Sequence, residues 1–169
     1  EIALQAAHVF LEFGYKDLGM RQLCTHLNMS KSALYHYFKS KGEIFKAATH
    51  AMVKLDSLTL QARPLAEQAN LDEKVANFIH IFNILAPRHY YEMKLIMEYI
   101  EVIGLDNVAQ DSSMMMANEK YQNLLANYVH KELANEMYSL LLGLLSQQLA
   151  TGTSPCSDYI SNLIRKQLA

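Results

Sequence analysis

Apolar residues return every three or four positions along most of this chain, a spacing that gathers them on one face of each successive helix. Ile2, Ala6, Val9, Phe10 and Phe13 keep that period and stop at Gly14, which predicts an amphipathic first helix closed by a glycine. Met20, Leu23, Cys24 and Leu27 mark a second, shorter helix, and Asn28 follows as a residue able to take the left-handed conformation of a tight interhelical turn. Ser30 is placed to cap a third helix. Its inward side carries Ala33 or Leu34 together with Phe38, leaving Lys31, Ser32, Tyr35, His36 and Tyr37 variously outward. Ser40 and Glu43 make a capping box for a fourth helix that runs from Lys41 through Ile44, Phe45, Ala48 and Met52 to about Leu60.

Beyond this point Pro64 and the polar stretch to Asn70 predict a linker, and Asn70 with Glu73 repeats the capping signature ahead of Val75, Phe78, Ile79, Phe82 and Leu85. Pro87 should end that helix. Another spans about Tyr90 to Ile103 and closes near Gly104, and the next starts at Asp111 or Ser112 and runs toward Leu133. A Leu-rich helix over residues 135–151 ends at Gly152, and Ser154 with Pro155 supplies an N-cap and a first-turn proline for a last helix to Leu168. The expectation is an all-α protein of about nine helices, with a three-helix head over residues 1–46 and a helical body over residues 47–169.

Composition agrees: 51% of the 169 residues are hydrophobic and only three are proline, so neither disorder nor a β-sandwich is favoured. The longest apolar runs, such as residues 140–145, fall far short of a membrane span, and no basic-then-apolar leader opens the sequence, so a cytoplasmic location without membrane partners is expected. Cys24 and Cys156 have no CxxC or Cys/His spacing, and His80, His89 and His130 do not fall at metal-ligand intervals, so no metal or other cofactor is expected. No phosphate loop, HExxH or Gly-x-Ser-x-Gly motif occurs, which argues against an enzyme. The net charge of -2 is unevenly distributed. The first fifty residues hold six Lys or Arg against four acids, and the rest nine against thirteen, a basic head on an acidic body.

The stretch from Phe10 to Phe45, FLEFGYKDLGMRQLCTHLNMSKSALYHYFKSKGEIF, resembles the DNA-binding domain of the tetracycline-repressor family. An aromatic after a glycine, a scaffold helix, a turn, a recognition helix ending in aromatics and a lysine-serine-lysine at the fourth helix come in that family's order. A recognition helix turns its N-terminal part toward base edges while flanking groups hold phosphates. Lys31, Ser32, Ala33 and His36 are therefore the candidates for base reading: Lys31 can bridge guanine acceptors, Ser32 can donate or accept, and Ala33 can touch a thymine methyl. The resemblance implies phosphate contacts for Tyr37 and Lys41, with Tyr35 bridging and Arg21 reaching from the start of the scaffold helix. Three departures stand out. Gly19 offers no hydroxyl where one commonly caps the second helix, Asn28 replaces the usual turn glycine, and Cys24 occupies a small-residue position at the helix crossing.

The resemblance also implies a ligand pocket in the body, and the aromatic and methionine content makes Phe78, Phe82, Tyr91, Met97, Met115 and Tyr121 candidates to line one for a small, largely apolar inducer. The stripe Met137, Leu141, Leu144, Leu145, joined by Tyr159 and Leu163, suggests a homodimer built by the last two helices. The expected function is a repressor that binds a near-palindromic operator as a dimer and is released by its ligand. The alternative is a stacked-helix protein-protein adaptor, which would form no salt-sensitive, sequence-specific DNA complex.

Overall fold

A computed structural model describes residues 1–59 and 69–168, with side chains described to Met52 in the first stretch. The expected linker at Pro64 and the end of the fourth helix near Leu60 lie outside the described residues. Those residues form nine α-helices, α1 (Ile2–Phe13), α2 (Met20–His26), α3 (Lys31–Tyr37), α4 (Lys41–Thr59), α5 (Leu71–Leu85), α6 (His89–Ile103), α7 (Ser112–Tyr128), α8 (Ala134–Thr151) and α9 (Ser157–Leu168), with a 3-10 helix over Leu105–Gln110 between α6 and α7. No strand occurs among them. They divide into two compact units, one made of Glu1–Leu58 with Tyr91–Ala117, the other of the described parts of Thr59–Tyr90 and Asn118–Ala169.

The first unit is organised around Phe10, Tyr15, Leu23, Leu34, Ile44 and Phe45 from the head, closed by Leu95, Tyr99 and Met114 from α6 and α7. The apolar period of α1 buries Ala6, Val9 and Phe10 as the spacing predicts, whereas Phe13 stays 40% exposed and stacks on His26 with ring centres 4.3 Å apart. Gly104, at φ 84°, turns the chain out of α6 into the 3-10 helix, and Asn107 donates from its side chain to the freed carbonyl of Ile103 at 2.6 Å. Asp111 then accepts from the backbone N–H groups of Ser113 (2.9 Å) and Met114 (3.1 Å), capping α7 at the position the sequence suggests.

In the second unit Phe78, Ile81 and Phe82 of α5 pack with Leu125 of α7, Met137, Leu141 and Leu144 of α8, and Ile160 and Ile164 of α9. Asn70 and Glu73 form the expected reciprocal capping box (2.9 and 3.0 Å), and α5 ends before Pro87. Two boundaries differ from expectation. Helix α7 stops at Tyr128 rather than running toward Leu133, because the N–H groups of Val129 and His130 both turn onto the Leu125 carbonyl and Asn77 of α5 donates to the released Tyr128 carbonyl at 2.8 Å. Helix α9 begins at Ser157, with the Cys156 carbonyl accepting from Ile160 N–H at 3.1 Å, so Ser154 and Pro155 belong to the connection and are not its cap and first turn.

Candidate nucleic-acid interface

Helices α2 and α3 meet through Leu23, Leu27 and Leu34, all buried, and the four residues between them make the turn of a helix-turn-helix. Asn28 carries the turn at φ 51°, the one positive φ outside glycine among the described residues. Its N–H and that of Met29 return to the carbonyls of Thr25 (3.1 Å) and Cys24 (2.9 Å). Asparagine can hold this conformation at small cost, so the missing turn glycine leaves the motif intact. Ser30 Oγ accepts from Ala33 N–H at 3.1 Å, the cap expected for α3. Gly19 has no side chain to cap α2, but its own N–H donates to Gln22 Oε1 at 2.8 Å, so half of the usual reciprocal pair survives. Glu43, in turn, reaches back to Lys39 N–H (2.7 Å) while Ser40 Oγ accepts from Glu43 N–H (3.2 Å).

With Leu34 facing inward, α3 presents Lys31, Ser32, Tyr35, His36 and Tyr37 to solvent and leaves Ala33 half-buried. Tyr37 is the most open of the aromatics at 61% exposure. Lys31 Nζ stands 5.7 Å from the Tyr35 ring centre, and His36 meets Tyr37 edge-on at 5.3 Å, so the outward groups support one another in pairs. Arg21, exposed at the start of α2, and Lys31 and Ser30 at the start of α3 border an open concavity of about 540 Å³ floored by Met20, Cys24 and Met29. Cys24, 8% exposed, fills the helix crossing as a small apolar residue. Positive, hydroxyl and aromatic groups on a short helix with a free outer face are the equipment for reading a major groove and holding its phosphates.

Lys41 behaves differently from its neighbours. Its Nζ donates to the carbonyls of Tyr15 (2.8 Å), Leu18 (3.1 Å) and Lys16 (3.4 Å) and lies 4.5 Å from the Tyr15 ring centre. An ammonium has three donors, and all three point at the turn between α1 and α2. Burial pulls its pKa below the ordinary lysine value, against the raising influence of Asp17 and Glu98. One residue from outside the head completes this turn: Glu98 Oε2 of α6 accepts from the N–H groups of Tyr15 (2.6 Å) and Lys16 (3.2 Å). Nothing in the spacing of the sequence signals that partnership, which joins residues more than eighty positions apart.

Residues 2–48 match the family model of bacterial regulatory proteins of the tetR family. This segment is a DNA-binding domain of the tetR type. Among solved structures, a transcriptional regulator of the TerR/AcrR family from Aquifex aeolicus VF5 is similar at 17% identity and a TM-score of 0.49, over 99% of this chain and 95% of that one. A Clostridium perfringens protein described as a fatty acid metabolism regulator gives 16% identity and a TM-score of 0.49, over 96% and 93%. No curated protein matches the chain.

The other site candidates are dispersed. Phe78 and Phe82 are wholly buried in the second unit, with Tyr121 packed against the same core. Tyr91, Met97 and Met115, on elements of the first unit, are each more than half exposed. Met137, Leu141, Leu144 and Leu145, expected at a dimer interface, are at most 3% exposed within the subunit, because α8 turns this stripe onto α5 and α9. Leu163 is half-buried against that core, and Tyr159 is 45% exposed. The outward face of α8 instead carries Leu142 (38%), Gly143, Ser146 and Leu149 (43%). No helix among the described residues is long and apolar enough to cross a membrane, and no group of three metal-binding side chains occurs among them.

Proposed function

We propose that the whole chain is a tetR-family regulator, a repressor that binds a near-palindromic operator as a homodimer and is released by a small, largely apolar ligand. The observation that carries the DNA-binding half is α3, capped by Ser30 and set by the Asn28 turn, with Lys31, Ser32, Tyr35, His36 and Tyr37 outward inside the matched segment. In this reading Lys31, Ser32, Ala33 and His36 read bases, Tyr35, Tyr37 and Arg21 contact the backbone, and Lys41 serves it through its charge while its donors hold the α1–α2 turn. The division into a head over residues 1–46 and a ligand-binding and dimerising remainder is part of the same proposal. Leu142, Leu149 and Tyr159 support a dimer face on α8 and α9, since they are apolar and outward where Gly143 and Ser146 let another helix approach closely.

The test is selection of duplexes from a random pool by the purified protein, followed by titration at several salt concentrations. A defined site bound with a steep salt dependence is expected, and Lys31→Ala should change the preference at one base position by roughly 1–3 kcal/mol. An absence of selection would favour the adaptor reading. For the inducer the test is reciprocity: operator DNA must lower the affinity for any true inducer by the factor through which that inducer weakens DNA binding. A ligand whose affinity ignores the duplex is not the inducer.

A further inference from the structure

The turn between α1 and α2 is held from two sides, by Lys41 of α4 within the matched DNA-binding segment and by Glu98 of α6 outside it. Its amide side faces α6, where Glu98 Oε2 accepts from Tyr15 and Lys16 N–H, and its carbonyl side faces α4, where Lys41 takes three carbonyls. Gly14 opens the turn at φ 82°, and a Cβ there would collide with the Glu98 carboxylate, so the glycine is needed both for the backbone angle and for the approach of that side chain. Tyr15, held between the two clamps, packs edge-on to Phe45 (5.0 Å) and Tyr99 (5.1 Å), and Tyr99 stacks on Phe45 at 4.4 Å. The turn leads directly into α2, and the Gly19 N–H cap and Arg21 follow it within a few residues.

We propose that Glu98 is a positioning residue for DNA binding: without touching DNA, its carboxylate fixes the α1–α2 turn and so sets where α2 begins and how α3 is presented. This rests on the DNA-binding reading above. The neighbouring pair Lys16–Glu101 (2.8 Å) is of a different kind, because both side chains are about 60% exposed and the link adds little. Glu101 is therefore the control for loss of acidic charge on the same helix.

The experiment uses the full chain and the duplex it selects, with affinities measured at one salt concentration and amide hydrogen exchange followed at Tyr15 and Lys16. Glu98→Ala should weaken binding by about tenfold or more and speed exchange at both amides, whereas Glu98→Gln, whose amide oxygen still accepts, should stay within about threefold of the unaltered protein. Glu101→Ala should leave affinity within about twofold. A purely structural contact would free the amides without changing affinity. Faster exchange in Glu98→Ala with unaltered duplex binding would overturn the proposal, as would an equal loss in Glu101→Ala. Should Glu98→Ala fail to fold, Glu98→Gln carries the test together with Glu98→Asp, whose shorter arm should release the amides and lose affinity. If the unaltered protein selects no duplex, the function proposed above falls and this proposal with it. If it selects one that Glu98→Ala binds as tightly, this proposal alone falls.

Discussion

Lys41 illustrates how one side chain can look simple in a sequence and be otherwise in the fold. Its place in a lysine-serine-lysine run suggests a solvent-facing cation, but its ammonium is enclosed by three carbonyls of residues 15–18. Lys41→Met keeps the apolar stem and removes the donors. It should lower unfolding stability by about 1–3 kcal/mol in urea, the cost of leaving partly buried carbonyls unpaired. If the charge also serves a phosphate, the slope of log affinity against log salt should shrink by about 0.9. Tyr99 gives a second test. Burial first, then its hydrogen bond to Asp111 (3.1 Å) and the charge of that carboxylate, push its pKa from the ordinary 10 up to about 12. The folded protein keeps this proton where the unfolded chain has released it. The resulting stability is complete below pH 10 and is lost as pH rises toward 12, at most about 3 kcal/mol for this group. Urea midpoints measured from pH 9 to 12 should fall less steeply in Tyr99→Phe than in the unaltered protein.

Among the elements, α3 depends most on a single local contact. A seven-residue helix closes few internal hydrogen bonds, so its start must be fixed by other means, and Ser30 Oγ accepting from Ala33 N–H does this. Ser30→Ala should cost about 1 kcal/mol by thermal or urea unfolding, while a Ser30→Asp cap should retain most of that stability. Elements of this kind were legible in the sequence because cap, turn residue and apolar period all act within a few positions. Asn28 at positive φ and the Asn70–Glu73 box follow from such local rules. The failures have a shared cause. The end of α7 depends on Asn77 claiming the Tyr128 carbonyl, the start of α9 on Ile160 and Ile164 facing a core built by α5 and α8, and the clasp of Glu98 on a residue pair far apart in sequence. Local periodicity carries no record of which distant group will take a freed backbone atom.

For the whole molecule the decisive question is which apolar stripe is spent inside the subunit and which is left for a second copy. Leu141 and Leu145 are 1% and 3% exposed, so changing both to Glu would bury two unpaired carboxylates; the expected result is an unfolded chain, seen as lost helix signal. Changing Leu142 and Leu149 to Glu, by contrast, should leave the fold intact and shift sedimentation toward a monomer. A folded dimer in that second variant would move the proposed interface elsewhere. The sequence pattern singled out Met137, Leu141, Leu144 and Leu145 for a dimer face, and the subunit buries all four itself, because an apolar period marks a buried face without saying whether the same chain or another buries it.

The cluster around Tyr15 and Phe45 has a practical consequence for anyone wishing to transplant the DNA reader. Leu95, Tyr99 and Met114 close that cluster from residues 91–117, so the reader is not a detachable cassette ending after α3. A chimera that grafts residues 1–46 onto a foreign body would expose aromatic surface and strand the amides of Tyr15 and Lys16. One that carries residues 91–117 along with the head should keep its melting temperature, and hybrid regulators built from this protein will need that second splice.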